Sequence, residues 1–123
     1  MKNKPKNLDG NKLIADFDGL LQDSYGKYFK YGIFKAYNES EFKYHESYEW
    51  LMPVVERIKE LKHPVNFYQS LIQNTVEIYS MVDRHYIVRV SDTIEKPITI
   101  LWLAVVEFIE WFNKQENDKK GNK

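Results

Sequence analysis

The chain has 123 residues, a length that predicts one domain with a core of its own. It contains no cysteine, which excludes disulfide bonds, zinc–thiolate sites and cysteine nucleophiles. Its 18 basic and 18 acidic residues give no net charge, so it lacks the overall basic excess typical of nucleic-acid-binding proteins. No apolar run follows the basic N-terminus, and the most apolar run, Ile98 to Phe112, is too short to span a bilayer. We therefore expect a cytoplasmic protein without membrane contact.

The first predicted element is a short helix near the N-terminus. Asp9 can cap a helix that places Leu13, Ile14 and Phe17 on one face. Gly19 would end this helix in the left-handed conformation, which glycine adopts without strain.

The stretch from Tyr44 to Leu61 predicts a central helix. The hydroxyl of Ser47 can accept a hydrogen bond from a free backbone N–H of the first turn. Pro53 lies too deep for a first-turn proline, so we expect a bend there. His63-Pro64 closes the helix, because a residue before proline disfavours helical geometry. The apolar residues at helical spacing are Trp50, Leu51, Val54, Val55, Ile58 and Leu61.

Strands are predicted on both sides of the central helix. Residues 25–42 have no regular periodicity, and two short irregular strands or a hairpin are the prediction there. Three strand-like runs follow the helix, and the short polar breaks between them favour an antiparallel meander. These runs are residues 65–72, 75–81 and 85–90. Alternation in the third run predicts that Tyr86, Val88 and Val90 share one face.

Pro97 begins a last predicted helix, which is apolar nearly all round as far as Lys114. Such a helix is either deeply buried or in contact with a partner. The sequence thus predicts an α+β fold: an antiparallel sheet of three or more strands packed with the central and C-terminal helices, and a short N-terminal helix. We expect a single domain over residues 9–114, with disordered tails at residues 1–8 and 115–123.

Three motifs approach catalytic or metal-binding patterns, and each is incomplete. The stretch Asp16 to Gly19 resembles the nucleophile loop of haloacid-dehalogenase-type phosphatases, but it has helical periodicity. His45-Glu46 begins like a zinc-binding HExxH motif, but Glu49 stands where the second histidine should be. Glu107 and Glu110 lack partner ligands on other helices. We therefore expect no enzyme and no catalytic, cofactor-binding or metal-binding residue, with solvated aspartates and with histidines in surface or capping positions.

The aromatic–basic segment, residues 27–37, interleaves tyrosines and phenylalanines with lysines. This pattern is typical of surfaces that stack bases and contact phosphates. Tyrosines are also enriched in protein–protein hot spots, and the same composition suits an ordinary core with a tyrosine rim. The residues leave all three readings open. The hypothesis of a partner-binding face rests on Lys27, Tyr28, Lys30, Tyr31, Lys35 and Tyr37.

Two stretches, Trp50 to Ile58 (WLMPVVERI) and Ala104 to Asn113 (AVVEFIEWFN), resemble the paired signature helices of small uncharacterised phage and prophage proteins. The stretch Leu13 to Gly19 (LIADFDG) is similar to their N-terminal LIAEFMG-like segment. Tyr48 and Glu49 replace a family-like Trp-Asp pair, a change that should not disturb the fold. The resemblance implies a layout like the phage ABA-sandwich domain, with a strand layer between helices, and it carries over no catalytic residue.

Small phage proteins of this kind are often accessory factors that act on host machinery, and some inhibit CRISPR–Cas immunity. The resemblance therefore implies a non-enzymatic, phage-derived interaction protein in the cytoplasm of a bacterial host. Its most specific form is an inhibitor that binds a defence nuclease, such as a CRISPR–Cas effector or its guide RNA. The alternative is a phage accessory protein that binds RNA or DNA directly through the aromatic–basic segment. The oligomeric state is left open.

Overall fold

A computed structural model of the chain describes residues 7–19, 21–22, 28–29, 36–37 and 41–121. The described residues form three helices and two three-stranded antiparallel sheets, which confirms the predicted α+β class. The elements are α1 (Asn7–Phe17), β1 (Leu21–Gln22), β2 (Tyr28–Phe29), β3 (Ala36–Tyr37), α2 (Tyr48–Lys59), β4 (Val65–Ser70), β5 (Thr75–Ser80), β6 (His85–Ser91) and α3 (Pro97–Gly121).

Helix α1 is the predicted N-terminal helix. It begins at Asn7, so the end of the predicted N-terminal tail is helical, and residues 1–6 of that tail lie outside the described residues. Gly19 has a φ of 79°, which confirms the predicted left-handed end. Gly10 lies against the indole of Trp102, and a Cβ at this position would overlap the ring. The close approach of α1 to α3 therefore requires a glycine there.

Helix α2 is the predicted central helix, shorter at both ends. Ser47 is the N-cap residue, as predicted, but the predicted hydrogen bond to its hydroxyl is wrong, because its side chain makes no capping bond. Its carbonyl accepts the N–H of Leu51 at 3.0 Å. Pro53 lies inside the helix, which continues past it as predicted. The helix ends before the predicted stop at residues 63–64. Its buried residues are Leu51, Val54, Val55 and Ile58.

Strands β4, β5 and β6 form the predicted antiparallel meander, with β5 in the middle. Val76 and Ile78 on β5 are buried, as their alternation predicts. Strand β4 is shorter than predicted, because Leu71 and Ile72 lie in the turn after Ser70 and are exposed. The apolar character of these two residues is therefore not a sign of strand structure.

The two hairpin turns of this sheet have the same construction. In each, a serine at the end of the strand, Ser70 or Ser80, accepts a hydrogen bond from the backbone N–H three residues ahead. Each turn ends with a residue in the left-handed conformation, Asn74 with φ 47° and Arg84 with φ 57°. Local side-chain bonds thus hold both turns.

The small sheet β1-β2-β3 is described by its backbone pairing. Strands β2 and β3 lie within the stretch 25–42 and pair antiparallel, with Tyr28 opposite Tyr37. This confirms the prediction of short strands there.

Helix α3 lies in the middle of the core and packs against β5, β6, α1 and α2. From Ile100 to Ile109 every residue except Glu107 is buried, which confirms deep burial as the reason for its apolar character. The helix continues to Gly121, beyond the predicted domain boundary at residue 114. Between Pro97 and Gly121 the sequence contains no glycine or proline that would interrupt the helix. None of the described helices has the length and apolar character that crossing a membrane requires.

Candidate protein-binding surface

The β4–β6 sheet has one face toward the core and one face toward solvent. Val76 and Ile78 on β5 and Val88 on β6 are buried, so the residues that alternate with them point outward. Tyr68 of β4, on that outward side, is 50% exposed. The described helices leave this side uncovered, whereas the resemblance implied a strand layer between helices. We call it the open face; it carries Asn66, Tyr68, Ser70, Thr75, Glu77, Tyr79, Tyr86, Arg89 and Ser91.

Tyr86 belongs to the open face because β6 contains a bulge. The sequence predicted Tyr86 on the same side as Val88 and Val90, and this prediction is wrong. The register shifts by one residue between Ile78 and Tyr79, which leaves an extra residue on β6 and turns Tyr86 outward. Tyr86 therefore lies opposite Tyr79, and their rings meet edge to face with centroids 5.1 Å apart.

Arg89 links the charged and aromatic parts of the open face. Its Nε donates a hydrogen bond to Glu77 Oε2 at 2.9 Å, and its guanidinium carbon lies 4.7 Å from the centroid of the Tyr86 ring. An exposed ion pair contributes only about 0.2–1 kcal/mol to stability. We conclude that these contacts mainly hold the guanidinium over the tyrosine ring, where a ligand can reach it.

A shallow depression of about 620 Å³ lies at the end of the open face nearest the β4–β5 turn. It contains hydroxyls, side-chain amides, one tyrosine and the Glu77–Arg89 pair. Such a lining can form many hydrogen bonds but holds few groups that could drive chemistry. Its residues are Tyr68, Gln69, Ser70, Gln73, Thr75, Glu77, Arg89 and Ser91.

Exposed aliphatic residues flank both ends of the open face. Ile72 in the β4–β5 turn is 99% exposed, and Ile94 in the loop after β6 is 90% exposed. Asn74 holds these two loops together, because its side-chain amide donates hydrogen bonds to the carbonyls of Asp92 and Glu95. At the other end, the β5–β6 turn exposes Met81 and Val82. An apolar group this exposed is typical of an interaction site.

A serine, a histidine and an aspartate meet at one end of the sheet, but not as a catalytic triad. The Oγ of Ser80 lies 2.8 Å from His63 Nε2, and Asp83 Oδ2 lies 3.8 Å from the same nitrogen. A triad needs the aspartate on the other ring nitrogen, and it needs an accessible nucleophile. Ser80 is 0% exposed, and its Oγ already accepts the backbone N–H of Asp83. The cluster therefore supports the turn and does not form a nucleophile site.

The other candidate catalytic residues fall at separate places. Asp16 is exposed, as predicted, but Asp18 is half-buried and its Oδ2 accepts a hydrogen bond from the Tyr44 hydroxyl at 3.2 Å. The prediction of a solvated helix residue is thus wrong for Asp18, which fixes the chain after α1. His45 is also half-buried and bonds to Asn11. Within the part of the chain that the structure describes, no three acidic or histidine side chains could hold a metal ion together.

The aromatic–basic segment is described at only two of its six candidate positions. The backbones of Tyr28 and Tyr37 are paired across β2 and β3. Lys27, Lys30, Tyr31 and Lys35 lie outside the described residues, so their role as a partner-binding face stays a prediction.

The open face is not among the sites that the sequence predicts. Alternation in residues 75–81 placed Glu77 and Tyr79 opposite the core side, and that signal could have been used. The addition of Tyr86 depends on a bulge that alternation cannot reveal. The chain matches no protein-family model, and no curated protein and no solved structure matches it.

Proposed function

We propose that this chain is a non-enzymatic interaction protein that binds a protein partner through the open face of the β4–β6 sheet. One observation carries the proposal: the large exposed apolar side chains gather on this sheet and its loops. Among the described residues, all of them except Tyr48 and Met52 lie between Tyr68 and Ile94. Tyrosine and arginine, the residue types of the open face, are also enriched in binding hot spots.

The charge of the sheet favours a protein over a nucleic acid. From Val65 to Ser91 the chain contains no lysine, and its two arginines are accompanied by Glu77 and Asp83. Arg89 already bonds to Glu77. A phosphate backbone needs a basic surface, which this sheet lacks. The exposed aliphatic residues at both ends add apolar area of the kind that a protein–protein interface buries.

The finer proposal concerns the class of partner. The resemblance of Trp50 to Ile58 and of Ala104 to Asn113 to phage and prophage proteins supports a phage origin. On that basis we propose an inhibitor of a bacterial defence nuclease, such as a CRISPR–Cas effector or its guide-RNA complex. The alternative is direct binding of RNA or DNA through the aromatic–basic segment.

Capture from a bacterial lysate tests the role of the open face. The purified chain is immobilised, and the retained proteins are compared among wild type, Tyr86→Ala, Arg89→Ala and Lys59→Ala. Lys59 is a matched control, because it also forms an exposed ion pair, with Glu56 on α2. The two open-face variants should lose the partner, each weakening binding by about 2 kcal/mol at a hot spot, and the control should keep it. Equal retention by all four chains would contradict the proposal.

A second experiment tests the finer proposal. A purified CRISPR–Cas effector loaded with guide RNA is assayed for DNA cleavage with and without the chain. Inhibition that Tyr86→Ala weakens and Lys59→Ala preserves supports it, and full cleavage with no detectable binding contradicts it. Binding to single-stranded RNA or DNA that falls steeply with added salt would favour the alternative.

A further inference from the structure

No described strand other than β5 pairs with strand β4, so its outer backbone edge has no partner within the described part of the chain. Each residue of β4 lies opposite a residue of β5 in an unbroken register, and the N–H of Met81 donates to the carbonyl of Pro64 at 3.0 Å. Hydrogen-bonded pairs recur at every second residue of an antiparallel ladder. The ladder bonds of β4 therefore belong to Asn66, Tyr68 and Ser70. The backbone groups of the residues between them, Val65, Phe67 and Gln69, point away from the sheet, and the described chain offers them no hydrogen-bond partner on that side.

The two edges of the sheet differ in how they resist pairing. The β6 edge has a bulge and carries His85 and Arg89, features that discourage a further strand. The β4 edge has neither: its sequence, VNFYQS, contains no charge and no proline, and its register is regular. An edge of this kind is a template for another strand.

The helix that packs against β4 also has an exposed apolar flank. Trp50 of α2 packs edge to face on Tyr44, and Arg57 donates to the carbonyl of Asp18, so this flank of the helix faces the N-terminal part of the chain. Tyr48 and Met52 lie one turn apart on the opposite flank, and both are exposed. Helix α2 itself contacts β4 and α3.

We propose that β4 pairs antiparallel with β4 of a second copy of this chain. The two-fold axis passes beside Phe67, so that Phe67 faces its own copy and Val65 faces Gln69 of the second copy. Val65, Phe67 and Gln69, whose backbone groups point away from β5, then each exchange two backbone hydrogen bonds with the residue opposite them in the second copy. On the open face, Asn66 of one copy lies beside Tyr68 of the other. The β4–β6 sheets of the two copies then become one continuous sheet.

A second copy fits this edge because the pairing is self-complementary. Two identical strands carry charges of the same sign, so a charged edge strand would repel its own copy, and β4 carries no charge. Asn66 and Tyr68 already contact each other within the chain, with the amide nitrogen 3.5 Å from the phenol oxygen. The same contact is available between copies. The dimer is independent of the binding partner proposed for the open face, and it would make that face continuous across both copies.

Analytical ultracentrifugation of the full chain, from micromolar to submillimolar concentrations, tests the dimer. The wild-type chain should show a reversible monomer–dimer equilibrium. Gln69→Pro removes a backbone N–H that points away from β5, and it leaves the hydrogen bonds between β4 and β5 in place. It should therefore weaken dimerisation about tenfold or more. Gln69→Ala keeps the N–H and should dimerise like wild type. A wild-type chain that is monomeric throughout, or a dimer that Gln69→Pro leaves unchanged, would overturn the proposal.

A cross-linking experiment tests the register without relying on proline. The chain has no cysteine, so Asn66→Cys and Tyr68→Cys chains can be mixed and oxidised cleanly. Directly opposite residues of a non-hydrogen-bonded pair have Cα atoms about 4.5 Å apart, within disulfide range. The mixed disulfide should therefore form much faster than a disulfide between two identical chains, whose cysteines lie diagonally. Equal rates for mixed and identical pairs would show that this register is wrong.

Discussion

The indole nitrogen of Trp102 donates a hydrogen bond to Asn11 Oδ1 at 2.8 Å, across 91 positions of the chain. An indole N–H can only donate, so this bond fixes which end of the Asn11 amide faces α3. The amide nitrogen must then face the carbonyl of Phe42, at 3.2 Å, and Nδ1 of His45, at 2.7 Å. One buried amide thereby joins α1, the segment before α2, and α3. His45 accepts a hydrogen bond at Nδ1 and so carries its proton on the other ring nitrogen when neutral.

Replacing Asn11 with alanine should destabilise the fold strongly. The substitution leaves the Trp102 N–H buried without an acceptor and removes a donor from Phe42 and from His45. A buried polar group without a partner costs about 1–3 kcal/mol, so we expect a loss of about 2–3 kcal/mol in the free energy of unfolding. Urea denaturation measures it. Asp16→Asn, an exposed change on the same helix, is the control and should stay within about 0.5 kcal/mol of wild type.

Gly10→Ala tests the close contact between α1 and α3. The new methyl group would overlap the Trp102 ring, and forcing extra atoms into a packed core costs about 1–3 kcal/mol. At an open helical position the same change would stabilise by about 1 kcal/mol, so the sign of the effect is informative. Thermal unfolding of Gly10→Ala, alone and with Trp102→Phe, measures the coupling. A Gly10→Ala chain more stable than wild type would mean that the two helices are not in contact here.

The helices and the meander could be predicted because their signals are local. The stripe of α2, the alternation of Val76 and Ile78 and the apolar length of α3 each follow from neighbouring residues. The turn at Leu71 and Ile72 was missed because apolar residues extend a strand pattern, while the hydroxyl of Ser70 redirects the backbone.

Long-range relationships and irregularities could not be predicted in the same way. The partnership of Asn11 with Trp102 depends on how distant elements pack, and a polar residue in α1 gives no sign of it. The bulge in β6 turns Tyr86 outward, because side chains alternate strictly and one extra residue reverses their direction. The place of Tyr86 on the open face therefore follows only from the strand register. The sequence did not predict that α3 continues beyond residue 114, because the residues there are polar. A polar composition indicates exposure to solvent, but it does not indicate the end of a helix.

Pro53→Ala should stabilise the protein. Pro53 lies beyond the first turn of α2, where proline lacks the N–H that would bond to the carbonyl of Glu49. It is exposed, so alanine fits without loss of packing. The gain should be about 1–3 kcal/mol, reduced somewhat because proline also restricts the unfolded chain. Urea denaturation measures the gain, and backbone carbon chemical shifts should show helix from Tyr48 to Lys59 in both chains. An unchanged or lower stability would mean that Pro53 imposes no strain on α2.

The last prediction separates the two surfaces that could bind a partner. The aromatic–basic segment is a candidate binding surface because of its sequence, and the open face is one because of its exposure and geometry. If the open face is the site, Tyr68→Ala and Tyr86→Ala should weaken partner binding by about 2 kcal/mol, while Tyr28→Ala and Tyr37→Ala should not. If the segment is the site, the pattern reverses. Trp102→Ala is the reference for loss of core, because it deletes a buried side chain and should cost about 3–5 kcal/mol of stability.

Melting temperature and partner affinity must be measured on the same proteins to interpret these variants. If replacing a tyrosine lowers stability as much as Trp102→Ala does, that tyrosine belongs to the core. The effect of its replacement on affinity then gives no information about direct contact with the partner. Tyr68 is 50% exposed, so its alanine variant should keep nearly the wild-type melting temperature. Loss of affinity without loss of stability identifies a contact residue. Unchanged affinity in all four tyrosine variants would place the binding surface elsewhere, and the exposed pair Tyr48 and Met52 on α2 would be tested next.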